Sequence, residues 1–131
     1  MMLLTAILAS ALAQSPAAVS QRLYEAEFSP LLKSERRYSS FGPVGPFYPQ
    51  VAIEAHKGGE ATLSCQVTAS GTLEKCKVVA ETPTNYHFGI AARVMADRKR
   101  ISVSGTPVGE TIFVRVPFVL GAPATVERQS P

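Results

Sequence analysis

From Glu60 to Thr68 apolar and polar residues alternate: Ala61, Leu63, Cys65 and Val67 share one face, and Glu60, Thr62, Ser64, Gln66 and Thr68 the other. A repeat of two puts successive side chains on opposite sides of a pleated backbone, so the stretch predicts a half-buried strand. Ser70-Gly71 follows, a pair suited to tight reversal because glycine takes positive φ freely. Leu73, Cys76, Val78 and Ala80 mark a second arm. Folding about Ser70-Gly71 sets Cys65 opposite Cys76. Leu73 breaks the pattern, since its parity is opposite to that of Cys76 and Val78. Either it faces away at the tip, or a bulged residue swaps the faces beyond it and shifts the cysteine register.

Before the hairpin, Tyr48, Val51, Ala52 and Ala55 recur at helical spacing, with Pro49 at the start and Gly58-Gly59 as the stop. After Glu81-Thr82-Pro83, a helix is predicted from Tyr86 to Lys99, capped by Asn85 or Thr84. Phe88, Ala91, Ala92, Met95 and Ala96 form its buried stripe, and Arg93 and Asp97 face water. Arg98-Lys99-Arg100 falls at its C-terminal end, where the helix dipole favours positive charge, and reads as a solvated end. Gly105, Pro107 and Gly109 make a turn before a last strand, Glu110 to Leu120, with Ile112, Val114, Val116, Phe118 and Leu120 on one face. Pro117 has no N–H for a ladder, which argues for an edge strand. The order is α-β-β-α-β, and the fold class is α+β: a three-stranded antiparallel sheet covered by two helices.

The termini carry less pattern. Met1 to Ala13 is apolar and ends in Ala11-Leu12-Ala13, the shape of a cleavable signal peptide apart from its lack of basic residues at the start. It is too short for a transmembrane helix, which needs about 20 apolar residues; an uncleaved short inner-membrane anchor is the alternative. Export to the periplasm follows. Residues 14–47 read as a mobile lead, with a short amphipathic piece over Ala18 to Phe28 and then Pro30, Ser39-Ser40 and Gly42-Pro43-Val44-Gly45-Pro46 as breakers. The domain spans 48–121, and 122–131 reads as a disordered tail.

Composition narrows the function. In 131 residues the net charge is +3, the aromatic fraction is 8% and there is no Trp. Lys and Arg are scattered, and Arg36-Arg37 reads as solvated charge, so a nucleic-acid role lacks both a basic face and stacking side chains. His56 and His87 sit at helix ends, no nucleophile motif surrounds a serine, and Glu54, Glu60, Glu74 and Glu81 form no paired-carboxylate arrangement. The chain reads as no enzyme, with no cofactor. For Cys65 and Cys76 a disulfide, a zinc site with His56 and His87, and two buried thiols compete. The ten-residue gap lacks the spacing of recognisable zinc sites, and export favours oxidation.

Taken together, these segments resemble the C-terminal domain of TonB-type energy transducers, over about Tyr48 to Leu120. The resemblance rests on Tyr48-Pro49-x-x-Ala52, Gly59-Glu60, Gly71 with Leu73, Pro83-x-Asn85 before Ala91-Ala92, Gly105-x-Pro107-Val108, and Val116-Pro117-Phe118. It implies a last strand at a sheet edge that accepts a transporter's TonB box as an added strand. Carried over, the binding edge is Thr111, Ile112, Phe113, Val114, Arg115 and Val116, with one hydrogen bond to a docked peptide missing if the Pro117 nitrogen points outward. Such domains can exchange or pair edge strands, so a homodimer is open. The family's inner-membrane helix and Pro-rich spacer have no counterpart here, and Arg98-Lys99-Arg100-Ile101-Ser102-Val103 replaces its usual ending to the second helix. Those departures leave energy transduction uncarried. The implied partner is a TonB-box-like transporter peptide or another envelope protein; the alternative is an accessory envelope protein in which Arg36-Arg37 and the basic helix end associate loosely with others.

Overall fold

Three alternating segments make the centre of the molecule. In the computed structural model, which describes residues 22–120, β3 (Gly59–Val67) is flanked antiparallel by β4 (Leu73–Thr82) and β6 (Thr111–Phe118). Ala61, Leu63, Cys65 and Val67 of β3 share a buried face with Ile112, Val114, Val116 and Phe118 of β6. Helices α1 (Gln50–Glu54) and α2 (Phe88–Asp97) supply Ala52, Phe88, Ala92, Met95 and Ala96 to the same core. Tyr48, Phe88 and Phe118 meet at its middle, with ring centroids 5.0–6.1 Å apart. The expected signal peptide, the first residues of the lead and the tail lie outside the described residues. Among those described, no helix is long and apolar enough to cross a membrane.

The α+β class holds, but the sheet is larger than expected. A strand β1 (Leu23–Glu25) lies parallel on β6, giving a mixed four-stranded sheet in the order β1-β6-β3-β4. A second small sheet pairs β2 (Glu27–Phe28) with β5 (Ile101–Ser102). β1 and β2 come from the segment expected as a mobile lead, and β5 from the stretch just after α2. Tyr24, Ala26 and Phe28 are half-buried and alternate with exposed Glu25 and Glu27, a period of two where an amphipathic piece was expected.

From Lys33 to Phe47 the chain continues in 3-10 turns, broken at Gly42 and Gly45 by positive φ. This run buries Val44 completely and packs Phe41 and Phe47 against the core. Glu35 and Arg100 form a two-pronged ion pair at 2.7 and 2.9 Å with both side chains about 15% exposed. The lead over residues 22–47 is therefore a strap across the domain.

The parity break at Leu73 has a local cause. Gly71 takes φ 87° at the turn, and Lys75 takes φ 52°, so β4 bulges there. Before the bulge Leu73 pairs with Val67 and Glu74 with Gln66; after it, Lys77 pairs with Ser64. The extra residue leaves Leu73 and Cys76 both buried on the core face and brings Cys76 onto Cys65, with which it forms the disulfide. A second irregularity lies at Val79, which is half exposed.

Helix ends also differ from expectation. Helix α2 starts at Phe88, not Tyr86, and neither Asn85 nor Thr84 caps it. His87 occupies the cap position with φ 67°, and the Glu81 carboxylate on β4 accepts a hydrogen bond from the Gly89 N–H at 2.7 Å. A Cβ at Gly89 would come within 2.6 Å of a Val78 methyl, so any larger residue there forces that side chain to shift.

Candidate functional site

The residues expected to form a partner-binding edge, Thr111 to Val116, lie on β6 as placed, but over its middle that strand is not free. Leu23, Tyr24 and Glu25 stand in register with Phe113, Val114 and Arg115. The expectation of an open edge is corrected over 113–115. The reason is that the lead folds back along β6 and pairs with it.

Which backbone groups of β6 face this slot follows from two hydrogen bonds. The Phe113 N–H donates to the Arg22 carbonyl, and the Ala26 N–H donates to the Arg115 carbonyl, each at 3.0 Å. Strand backbone groups alternate in direction, so Phe113 and Arg115 address β1, whereas Ile112, Val114 and Val116 address β3. By the same parity the Pro117 nitrogen points toward the β1 side. It supplies no donor, and the β1 ladder ends at the Arg115 carbonyl. Past Pro117 the strand borders a wide open hollow of about 830 Å³, lined by His56, Gly58, Pro83, Val119 and Leu120 among others.

Side chains divide between the two faces of the slot. Val114 is fully buried on the helix-covered face, and Tyr24 beside it packs against that core. On the other face Arg115 lies between two carboxylates. Its Nη1 donates to Glu25 Oε1 at 2.9 Å and its Nε to Glu60 Oε1 at 2.7 Å, and its Nη2 lies 2.6 Å from the same Glu60 oxygen. The hydrogen bonds Arg115 donates to Glu60 and Glu25 push the guanidinium pKa above its ordinary value. The Glu60 link joins two strands of the central sheet, while the Glu25 link joins β6 to the strap. Sequence reasoning missed Tyr24, Glu25 and the partnership of Arg115 with Glu60. The signal for the first two was the alternation from Tyr24 to Phe28.

The basic helix end is occupied internally. Lys99 Nζ donates to the Leu73 carbonyl at 3.1 Å, Arg100 holds Glu35, and the guanidinium groups of Arg98 and Arg100 lie 5.8 and 5.3 Å from the Phe47 ring centre. Arg36 and Arg37 are exposed. His56 and His87 are exposed at the ends of α1 and α2, while Cys65 and Cys76 are bonded to each other, so the four do not converge as a ligand set.

The described residues thus form a small α+β domain, two helices on a mixed four-stranded sheet with a disulfide-linked hairpin. The family model described as Gram-negative bacterial TonB protein C-terminal matches residues 44–120, more than half of the chain, and the chain belongs to that family. Comparison with curated proteins found no match.

Proposed function

We propose that this domain is a protein-binding module of the cell envelope that takes up a partner's extended peptide as an added strand on β6. One observation carries the reading: β6 already holds a short extended segment by backbone hydrogen bonds, the mode of attachment such binding uses. Family membership supports an envelope or periplasmic setting and a protein partner of the TonB-box type. The domain's work is recognition, with no catalytic step.

The slot divides its tasks. Outward-facing groups of Phe113 and Arg115 supply attachment, the buried side at Val114 sorts apolar residues, and Arg115 sorts charge. The accessory reading, in which basic residues mediate loose association, loses ground because Lys99 and Arg100 are committed within the fold. Titration of the full chain with an extended TonB-box-like peptide, followed by amide chemical shifts, tests the proposal. Shifts should concentrate on Thr111 to Val116 and persist in salt. Shifts confined to Arg36 and Arg37 that vanish as salt rises would instead support the accessory reading.

A further inference from the structure

We infer that Arg22–Ala26 is a built-in competitor for the β6 slot, that a partner strand binds by replacing it, and that the slot selects a parallel peptide carrying a carboxylate opposite Arg115 and a large apolar side chain opposite Val114. The inference rests on the reading of β6 as a strand acceptor and adds to it the partner's chemistry and the state of the unbound chain.

Three features separate β1 from the rest of the strap. First, it is short and lightly held. It spans three residues, Leu23 is 57% exposed, and the Glu25 side chain in its only ion pair among the described residues is 64% exposed. Exposed ion pairs of this kind contribute little individually. Second, the strap is fastened again directly after it. Phe28 pairs with Ile101, the Ser29 N–H donates to the Arg100 carbonyl at 2.9 Å, and the Ser104 hydroxyl donates to Glu27. Peeling residues 22–26 from β6 leaves those attachments and the Glu35–Arg100 pair in place, so the hinge falls at Ala26–Glu27. Third, the one side chain that β1 lays against the core is not sealed into it: Tyr24 packs there but stays half-buried.

The competitor also describes the ligand. Strands in a parallel pair present in-register residues on the same face, so a replacing strand must answer Val114 and Arg115 as Tyr24 and Glu25 do. Arg115 is already drawn by Glu60 on one side. A basic residue opposite it would set a second cation beside Nη1, the guanidinium nitrogen that now faces Glu25, whereas a carboxylate completes the triad. Pro117 fixes the end of the register, because no donor lies there for a longer ladder.

A tethered competitor acts at an effective concentration on the order of millimolar. The same strand supplied separately therefore binds the closed chain weakly, and opening the slot raises its apparent affinity by the inverse of the open fraction. The probe is a synthetic peptide reproducing residues 21–27, titrated by isothermal calorimetry and amide shifts into the full-length oxidised chain. Two independent openings are used: Tyr24→Pro, which removes a donor from the middle of β1, and Glu25→Lys, which sets a cation against Arg115. Both should bind the peptide about tenfold or more tightly than the unaltered chain, with shifts on Phe113 to Arg115. Equal affinity in open and unaltered chains overturns the competitor while leaving β6 as an acceptor. The peptide with Glu25→Lys should bind the Tyr24→Pro chain about tenfold more weakly than the native peptide, and Arg115→Gln in that chain should abolish the difference. Indifference of the Tyr24→Pro chain to the peptide's charge overturns the assigned ligand chemistry. Failure of either opened chain to take the peptide on β6 overturns the acceptor reading itself.

Discussion

β4 and β6 flank the same central strand, yet they are guarded by different means. β4 is protected covalently and by its own shape: the Cys65–Cys76 disulfide ties it to β3, irregularities at Lys75 and Val79 interrupt its line, and Glu74, Lys75 and Lys77 place charge along it. Bulges and charges of this kind discourage another strand from pairing. β6 has a regular line from Thr111 to Val116, and its protection is a separate three-residue strand that rests on it. One edge is closed by construction and the other by a removable cover. A protein that had only to avoid aggregation would gain from treating both alike, so the asymmetry is itself a reason to look for binding on β6.

The largest effect should abolish the distinction. Phe88 touches Tyr48 and Phe118 at the centre, and Gly59 on β3 is required beneath it because a Cβ there would meet its ring at 2.7 Å. Phe88→Ala should cost about 3–5 kcal/mol and loosen both edges together, measured by urea unfolding and by amide exchange on β4 and β6. Next comes the disulfide. Replacing Cys65 and Cys76 by alanine removes a link between residues 11 apart, which should cost about 2–3 kcal/mol by the loop-entropy account. Exchange should quicken on β4 before β6, and peptide uptake on β6 should persist. If β6 loosens first, the two edges are not independent.

Two prolines one residue apart sharpen the contrast further. The Val114 N–H addresses β3, and the Phe113 N–H addresses the slot. Val114→Pro leaves a β3 carbonyl without its donor inside the sheet, a loss of about 1–3 kcal/mol before any clash of the ring. Phe113→Pro removes only the bond to the Arg22 carbonyl. It should leave the urea midpoint nearly unchanged while eliminating strand uptake. Equal destabilisation by both prolines would mean that the parity assigned to β6 is wrong.

The hairpin, α2 and β6 were legible in the sequence because each buries one face over many residues, and repeats of two or of three and four are then visible. The bulge announced itself as the parity of Leu73, although only the left-handed backbone of Lys75 says which alternative holds. The slot's occupant was not legible as such. Strands of two and three residues carry too short a repeat, and Tyr24 to Phe28 alternates for only five positions before Pro30. Pairings such as Glu35 with Arg100 or Arg115 with Glu25 join residues 65 and 90 apart, and nothing local records them. The helix cap from Glu81 was hidden likewise, because it arrives from a strand and not from the residues preceding the helix.

Acid should weaken the strap's fastening at Arg100. Hydrogen bonds from Arg100 and from the Leu32 N–H lower the Glu35 pKa from 4.5 to about 2. The folded pKa lies below the unfolded one, so between those values the unfolded chain binds more protons. The carboxylate's contribution is complete above about pH 4.5 and is lost as the pH falls toward 2. In Glu35→Gln the stability of the chain should vary less steeply across that window than in the unaltered protein, as followed by urea midpoints at successive pH values. A slope identical to that of the unaltered chain would remove Glu35 from the acid response.

The smallest expected change in stability is the most direct probe of the cover. Glu25 and Glu60 grip the same guanidinium from opposite sides, yet they hold different things: Glu60 joins β3 to β6 within the sheet, and Glu25 joins the cover to β6. Because the Glu25 side chain is 64% exposed, Glu25→Gln should shift global stability by only a few tenths of a kcal/mol. Its effect should appear locally, as faster amide exchange at Ala26, whose N–H donates to the Arg115 carbonyl, with β3 and β4 unchanged. Glu60→Gln should act the other way, disturbing the β3–β6 side while Ala26 keeps its protection through the remaining Glu25 contact. If the two substitutions quicken exchange at Ala26 equally, the triad is one unit, and the cover cannot be released without loosening the sheet beneath it. If only Glu25→Gln does so, the cover is held by its own latch and can open while the sheet stays closed.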